Sequence, residues 1–161
     1  MKFRNYKIRG YQNPESGIEI SRGPDWILLQ DNPTDFFIDG LKFIHRSYVI
    51  REVHTSYDAL MRDVLKLKKI DQSQEIDAQL KDQPLFEYFF QSGKLIQIYQ
   101  TRQNSTLIGK VVRVSANSFK LRLLGTKGEW QEELSFRYAR IRVLKFGTDY
   151  LKSFELYVSK S

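Results

Sequence analysis

Catalysis usually leaves a trace in histidines, cysteines and paired acids, and this chain has few of them. There is no cysteine, which excludes thiolate metal sites and disulfide frameworks and assigns no redox compartment. The two histidines, His45 and His54, fall on different predicted strands with Asp35 and Asp39 nearby in sequence. Their spacing is not the helical His-x-x-x-His that aims two ring nitrogens at one ion, so no metal site is expected. No serine stands in a nucleophile-elbow pattern, and Gly125-Thr126-Lys127-Gly128 lacks the flanks of a phosphate-binding loop and reads as a turn. Without a constellation for acid–base, nucleophilic or metal chemistry, the expectation is a non-enzyme with no cofactor.

What remains is electrostatic. The 161 residues carry a net charge of +7, and the excess is not spread evenly. Residues 1–65 hold 9 Lys and Arg against 9 Asp and Glu, residues 66–92 hold 4 against 5, and residues 93–161 hold 13 against 5, a net of +8. A segment this basic has a physical reason to meet polyanions such as RNA, DNA or acidic membrane surfaces. A solvated face that only keeps the protein soluble carries the same charge, and composition does not separate the two.

Alternation along predicted strands says where the charge points. Phe119, Leu121 and Leu123 share one side of a strand, which turns Lys120 and Arg122 to the other. Leu134 and Phe136 do the same for Arg137, and Ile141 and Val143 for Arg140 and Arg142. Arg113 is left open, because Val111 shares its parity. The aromatics Trp26, Phe37, Trp130 and Phe136 read as core.

The scaffold under these residues shows in an internal repeat. Residues 25–61 slide forward by 93 positions without a gap: Leu28 falls on Leu121, Leu41 on Leu134, Phe43 on Phe136, Thr55 on Thr148 and Tyr57 on Tyr150. Six further positions pair hydrophobe with hydrophobe, among them Trp26 with Phe119 and Met61 with Phe154. Strands are predicted over 3–10, 18–20, 26–30, 36–44 as one long strand with a bulge at Gly40, and 48–53. The second copy supplies 95–101, 107–114, 119–123, 130–138 and 141–146. Thr55-Ser56-Tyr57-Asp58 opens a helix with Tyr57, Leu60, Met61 and Val64 on one face, and Thr148-Asp149-Tyr150 repeats that start. Residues 70–83 are a polar linker, and residues 84–93 are a short helix from Pro84 to Gly93. Apolar runs are too short to span a bilayer and no signal core is visible, so a cytoplasmic protein without membrane contact is expected.

A short helix and five strands, with Leu107-Ile108-Gly109-Lys110-Val111 early and Phe136-Arg137-Tyr138-Ala139 before the last strand, resemble the Sm-like fold, including bacterial Hfq. Ser115 departs from the acid usual after the second strand, and the loop between the third and fourth is longer than in Hfq. The resemblance implies a mainly β chain of two Sm-like five-stranded bent antiparallel barrels, each followed by a C-terminal helix. The units are 1–69 and 84–161. It also places Arg137 and Tyr138 where that family binds RNA. Lys120, Arg122, Arg137, Tyr138, Arg140 and Arg142 are thus the candidate nucleic-acid-binding set, with phosphates on the cations and a base on the ring. The partners to expect are RNA, or other copies of the chain through exposed barrel edges; an assembly module without a nucleic-acid role is the alternative.

Overall fold

Ten antiparallel strands form one continuous sheet in the computed structural model, which describes residues 1–160. The first half contributes β1 (Phe3–Ile8), β2 (Glu15–Arg22), β3 (Trp26–Asp31), β4 (Leu41–His45) and β5 (Val49–Glu52), followed by helix α1 (Asp58–Leu67). Helix α2 (Asp82–Ser92) then leads into β6 (Leu95–Tyr99), β7 (Thr106–Val114), β8 (Ser118–Leu124), β9 (Trp130–Arg137), β10 (Val143–Phe146) and α3 (Asp149–Ser159). The strands lie in the order β5-β1-β2-β3-β4-β10-β6-β7-β8-β9, so each half follows the same plan and the halves meet where β4 pairs with β10.

The ladders fix how the halves correspond. Gly17 faces Asp31 as Gly109 faces Leu123, and Trp26 faces His45 as Ser118 faces Arg137. The irregularity between Glu19 and Ser21 recurs between Val111 and Arg113, and the 3-10 turn Arg46–Tyr48 recurs as Tyr138–Arg140. Each of these is a shift of 92 residues, from 17 to 109 or from 46 to 138. A Cβ on Gly17 would strike the Gln30 carbonyl oxygen and one on Gly109 the Arg122 carbonyl oxygen, the same contact in both halves. The expected shift of 93 is therefore corrected in the strands: Leu28 corresponds to Lys120, not Leu121, and Phe43 to Ser135, not Phe136. One residue along a strand is the opposite face. The apolar pattern misled because β3 and β4 are buried on both faces, from Trp26 to Asp31 and from Leu41 to His45, which leaves their sequence without a phase. In the helices 93 holds: Met61 and Phe154, Leu65 and Val158 occupy matching places against the sheet.

Five is an odd number, so corresponding strands of the two halves run in opposite directions. Carrying one half onto the other in the same strand order then exchanges the faces of the sheet. Tyr6, Ile27, Leu29 and Ile44 pack together in the first half, and their counterparts Ile98, Phe119, Leu121 and Phe136 belong to the largest cluster, on the other face. That cluster spans both halves because α2 packs on the outer side of β3 and β4 and, at the same time, on β7, β8 and β10 of the second half. Leu85, Phe86 and Phe89 are fully buried; Phe89 meets Phe43 edge-on at 5.4 Å, and Phe86 lies 6.1 Å from Trp26 and 4.3 Å from Phe119. Truncating any one of these rings to alanine costs about 3–5 kcal/mol. The helix is fixed at both ends. The Asp25 carboxylate accepts the Asp82 N–H (2.9 Å), and Gly93 closes the other end at φ +65, where only a residue without a side chain is unstrained.

The seam between the halves carries a buried ionic network. Lys42 Nζ lies 2.7 Å from Asp31 Oδ1, 3.0 Å from Glu15 Oε1 and 2.9 Å from the Ser16 carbonyl, while Lys145 Nζ reaches Asp31 Oδ2 at 3.0 Å. Gln103 Nε2 donates to Glu15 Oε2 from the second half (2.5 Å). Lys42 and Asp31 are 2% and 1% exposed, so the pairing rather than solvent has to compensate their charges.

Two other expectations are corrected. Residues 36–44 are not one strand: β4 begins at Leu41, and Gly40, at φ +68 and packed against the backbone of Gly147, ends a loop held by Asn32. Helix α1 ends at Leu67 and α2 starts at Asp82, two residues before Pro84, so the linker keeps its expected length but lies two residues earlier, at 68–81.

Candidate functional site

Along β7, β8 and β9 the ladder partners are Lys110 with Arg122 and Glu133, Arg113 with Lys120 and Ser135, and Ser118 with Arg137. Partners in a ladder share a face. Lys110, Arg113, Lys120, Arg122 and Arg137 therefore stand together on the outer face of the second half, with Glu133 as the one acid among them. Lys110, Arg113, Arg122 and Arg137 are exposed and Lys120 is half-buried. Among the described residues none of these five cations takes part in an ion pair. Cations left unneutralised side by side repel one another, so such a face attracts anions from solution.

Arg113 and Lys110, whose direction parity left open or did not consider, join the set because of the irregularity between Val111 and Arg113. The extra residue, Val112, shifts the phase of the strand and returns Arg113 to the side of Lys110. Arg122 also lies 4.6 Å from the ring of Trp130, a cation–π contact on the same face, since Trp130 pairs with Leu124. Trp130, expected to be core, is only half-buried.

The rest of the expected set is dispersed. Tyr138 is 2% exposed: its ring packs on Phe86 and Phe119, and its hydroxyl donates to the Ser115 carbonyl (2.7 Å). Burial pushes that phenol up to about 12. A ring in this position has no open face for a base, which corrects the role implied by the resemblance. Arg140 is exposed in its 3-10 turn. Arg142 points to the first half, 4.6 Å over Tyr48 and donating to the Arg9 carbonyl.

Other polar groups are committed to structure. Ser47 Oγ sits 2.7 Å from His45 Nδ1, and His45 Nε2 lies 3.3 Å from Asp82 Oδ1, which also accepts the Trp26 indole N–H at 2.9 Å. Although serine, histidine and aspartate stand in line, Nδ1 also receives the Ser47 backbone N–H (3.3 Å) and Asp82 is held in the first turn of α2, so the row anchors that helix. Beside α1, a cleft of about 330 Å³ is lined by Asn5, Ser16, Thr55, Tyr57, Asp58 and Met61. Burial pushes the Asp58 carboxyl up, but hydrogen bonds from the Thr55 N–H, the Thr55 hydroxyl and the Asn5 amide outweigh it and hold the group below the usual carboxylate range. A fully hydrogen-bonded carboxylate is a poor proton carrier at neutral pH. No group of three or more His, Asp or Glu among the described residues is placed to hold a metal ion, and no helix is long and apolar enough to cross a membrane.

Comparison with protein-family models, curated proteins and solved structures finds no match for this chain.

Proposed function

We infer that this chain is a non-catalytic binding module for RNA or another single-stranded nucleic acid, built from two Sm-like five-stranded barrels of which the second carries the ligand. The repeated strand order supports the architectural half of this reading. The observation that carries the functional half is the face of β7–β9, where five cations and one acid share a surface. Its first-half counterpart is filled differently: Leu28, Gln30, Leu41 and His45, which correspond to Lys120, Arg122, Glu133 and Arg137, are all buried, on the side that α2 and the linker cover. The same surface of the fold is thus a helix seat in one half and an open basic track in the other. Phosphates are the common anion that repeats along a line as these cations do.

The test is the salt dependence of single-stranded RNA binding, measured by fluorescence anisotropy. Changing Lys120, Arg122 and Arg137 together to Gln leaves the fold intact, because none is in the core, and lowers the slope of log K against log[salt] by about 2, at about 0.7 per phosphate contact. An unchanged slope, or no binding by the parent at low salt, removes the reading.

A second reading, assembly of copies through sheet edges, is favoured by one feature. The free edges β9 and β5 are the counterparts of β4 and β10, which pair inside the chain. Because that internal junction already uses one pair of edges, and Glu132, Glu133 and Arg51 charge the edges that remain, a monomer or small oligomer is expected by light scattering.

A further inference from the structure

Next to the basic track, α3 and the β8–β9 turn leave a cleft of about 330 Å³ lined by Gly128, Trp130, Tyr157, Val158 and Lys160. Tyr157 is 55% exposed, and Trp130 shows part of its ring. Both are held in place. A Cβ on Gly128 would fall 2.5 Å from Tyr157 Cε2, so the tyrosine lies on bare backbone that only glycine provides. Trp130 packs with Leu124, Leu151 and Phe154 on its inner side and carries the Arg122 guanidinium 4.6 Å from its ring, while Lys160 Nζ stands 5.6 Å from the Tyr157 ring. Glu129, the acid nearest in sequence, is turned away to accept the Lys127 N–H (3.1 Å).

We propose that this cleft is a nucleobase slot in which one base of a single strand stacks on Tyr157, beside Trp130, while its flanking phosphates follow Arg122, Lys110 and Lys120. The proposal rests on the nucleic-acid reading above and adds to it where the base goes. Two features favour a nucleic acid over other occupants. The slot adjoins the track through Trp130, which lines the slot and carries the Arg122 guanidinium 4.6 Å from its ring, and on β8 Arg122 and Lys120 are about 7 Å apart, near the phosphate repeat of an extended strand. Aromatic rings bordered by cations are how proteins take single strands without reading their sequence. The rings are already packed in place, so binding orders little that is not ordered before.

The chain supplies its own reporter. It has two tryptophans, and Trp26 is fully buried, so quenching of indole fluorescence by a stacked base reports on Trp130. The experiment titrates the full chain with oligouridylate of about 12 nucleotides, within the range one small β-domain covers, and with an abasic oligomer of the same length. Expected are quenching by the base-bearing strand only, loss of that quenching in Trp130→Phe, and a roughly tenfold weaker oligouridylate affinity in Tyr157→Ala, which falls in the range of one lost stacking contact. The salt slope stays unchanged in Tyr157→Ala, since no phosphate contact is lost. Equal binding of both oligomers, with no quenching and no effect of Tyr157→Ala, overturns the slot while leaving the basic track in place. Binding of neither oligomer by the parent overturns the track and the slot together.

Discussion

Lys42 offers the sharpest test of how the two halves are joined. Its ammonium is surrounded by Asp31, Glu15 and the Ser16 carbonyl at 2.7–3.0 Å and is 2% exposed. Glu15, Asp31, Lys42 and Lys145 together are neutral; Lys42→Met keeps the length of the side chain and leaves a buried charge of −1. Removing one partner of a buried pair costs about 3–5 kcal/mol, against a total stability of about 5–15 kcal/mol. For a chain of this size that is a fall in melting temperature of about 6–20 °C. Adding Asp31→Asn restores neutrality, with Lys145 close enough to the surface to find water, so the double variant recovers part of the loss. Urea unfolding of the four proteins at constant m-value gives the coupling, expected at 1 kcal/mol or more in favour of the pair, within the range for groups in one network (about 0.5–3 kcal/mol). A loss below about 1 kcal/mol for Lys42→Met, or strict additivity in the cycle, would falsify the claim that pairing within the network compensates the buried charges of the seam.

Two further outcomes are accessible with the same methods. The Asp58 carboxyl titrates below its ordinary value in the folded chain, so the stability it contributes is present above about pH 4 and is lost as pH falls through the native value. Asp58→Asn should cost about 1.5–3 kcal/mol at pH 7, and the gap between the two proteins should close in acid; a gap independent of pH contradicts the hydrogen-bonded carboxylate. Tyr138→Phe removes the hydrogen bond to Ser115 and should cost about 1 kcal/mol of stability with RNA affinity unchanged; a drop in affinity at equal stability restores Tyr138 as a binding residue.

Element types were largely legible in the sequence, because turns and periods are local. The starts of α1 and α3, Gly93 at the end of α2 and the strand pairs around Asn104 and Asn117 all follow from residues within a few positions. Phase was not legible where a strand has no polar side. Trp26-Ile27-Leu28-Leu29 fits either face equally well, and only the register against β2 and β4 decides it. For the candidate site, Lys120, Arg122 and Arg137 came out together because apolar residues alternate with them in the sequence of β8 and of the end of β9, although Leu134 on β9 is itself exposed. Arg113 required the insertion of Val112 to be seen, and no local signal marks a bulge of that kind. Tyr138 misled for a tertiary reason: the helix that buries it lies some fifty residues earlier in the chain.

The way α2 is shared has a further consequence. It precedes the second unit in the chain and packs on both, against Trp26 and Phe43 of the first and against Phe119, Tyr138 and Phe146 of the second. On β8 and β9 the places that correspond to its seat on β3 and β4 include Arg122, Glu133 and Arg137, all exposed and uncovered. The uncovered seat escapes the demand to be apolar, and its residues can change without loosening the core. Two copies of one plan thereby differ with no new element added: one face is bound by packing to stay as it is, and the other is free of that constraint.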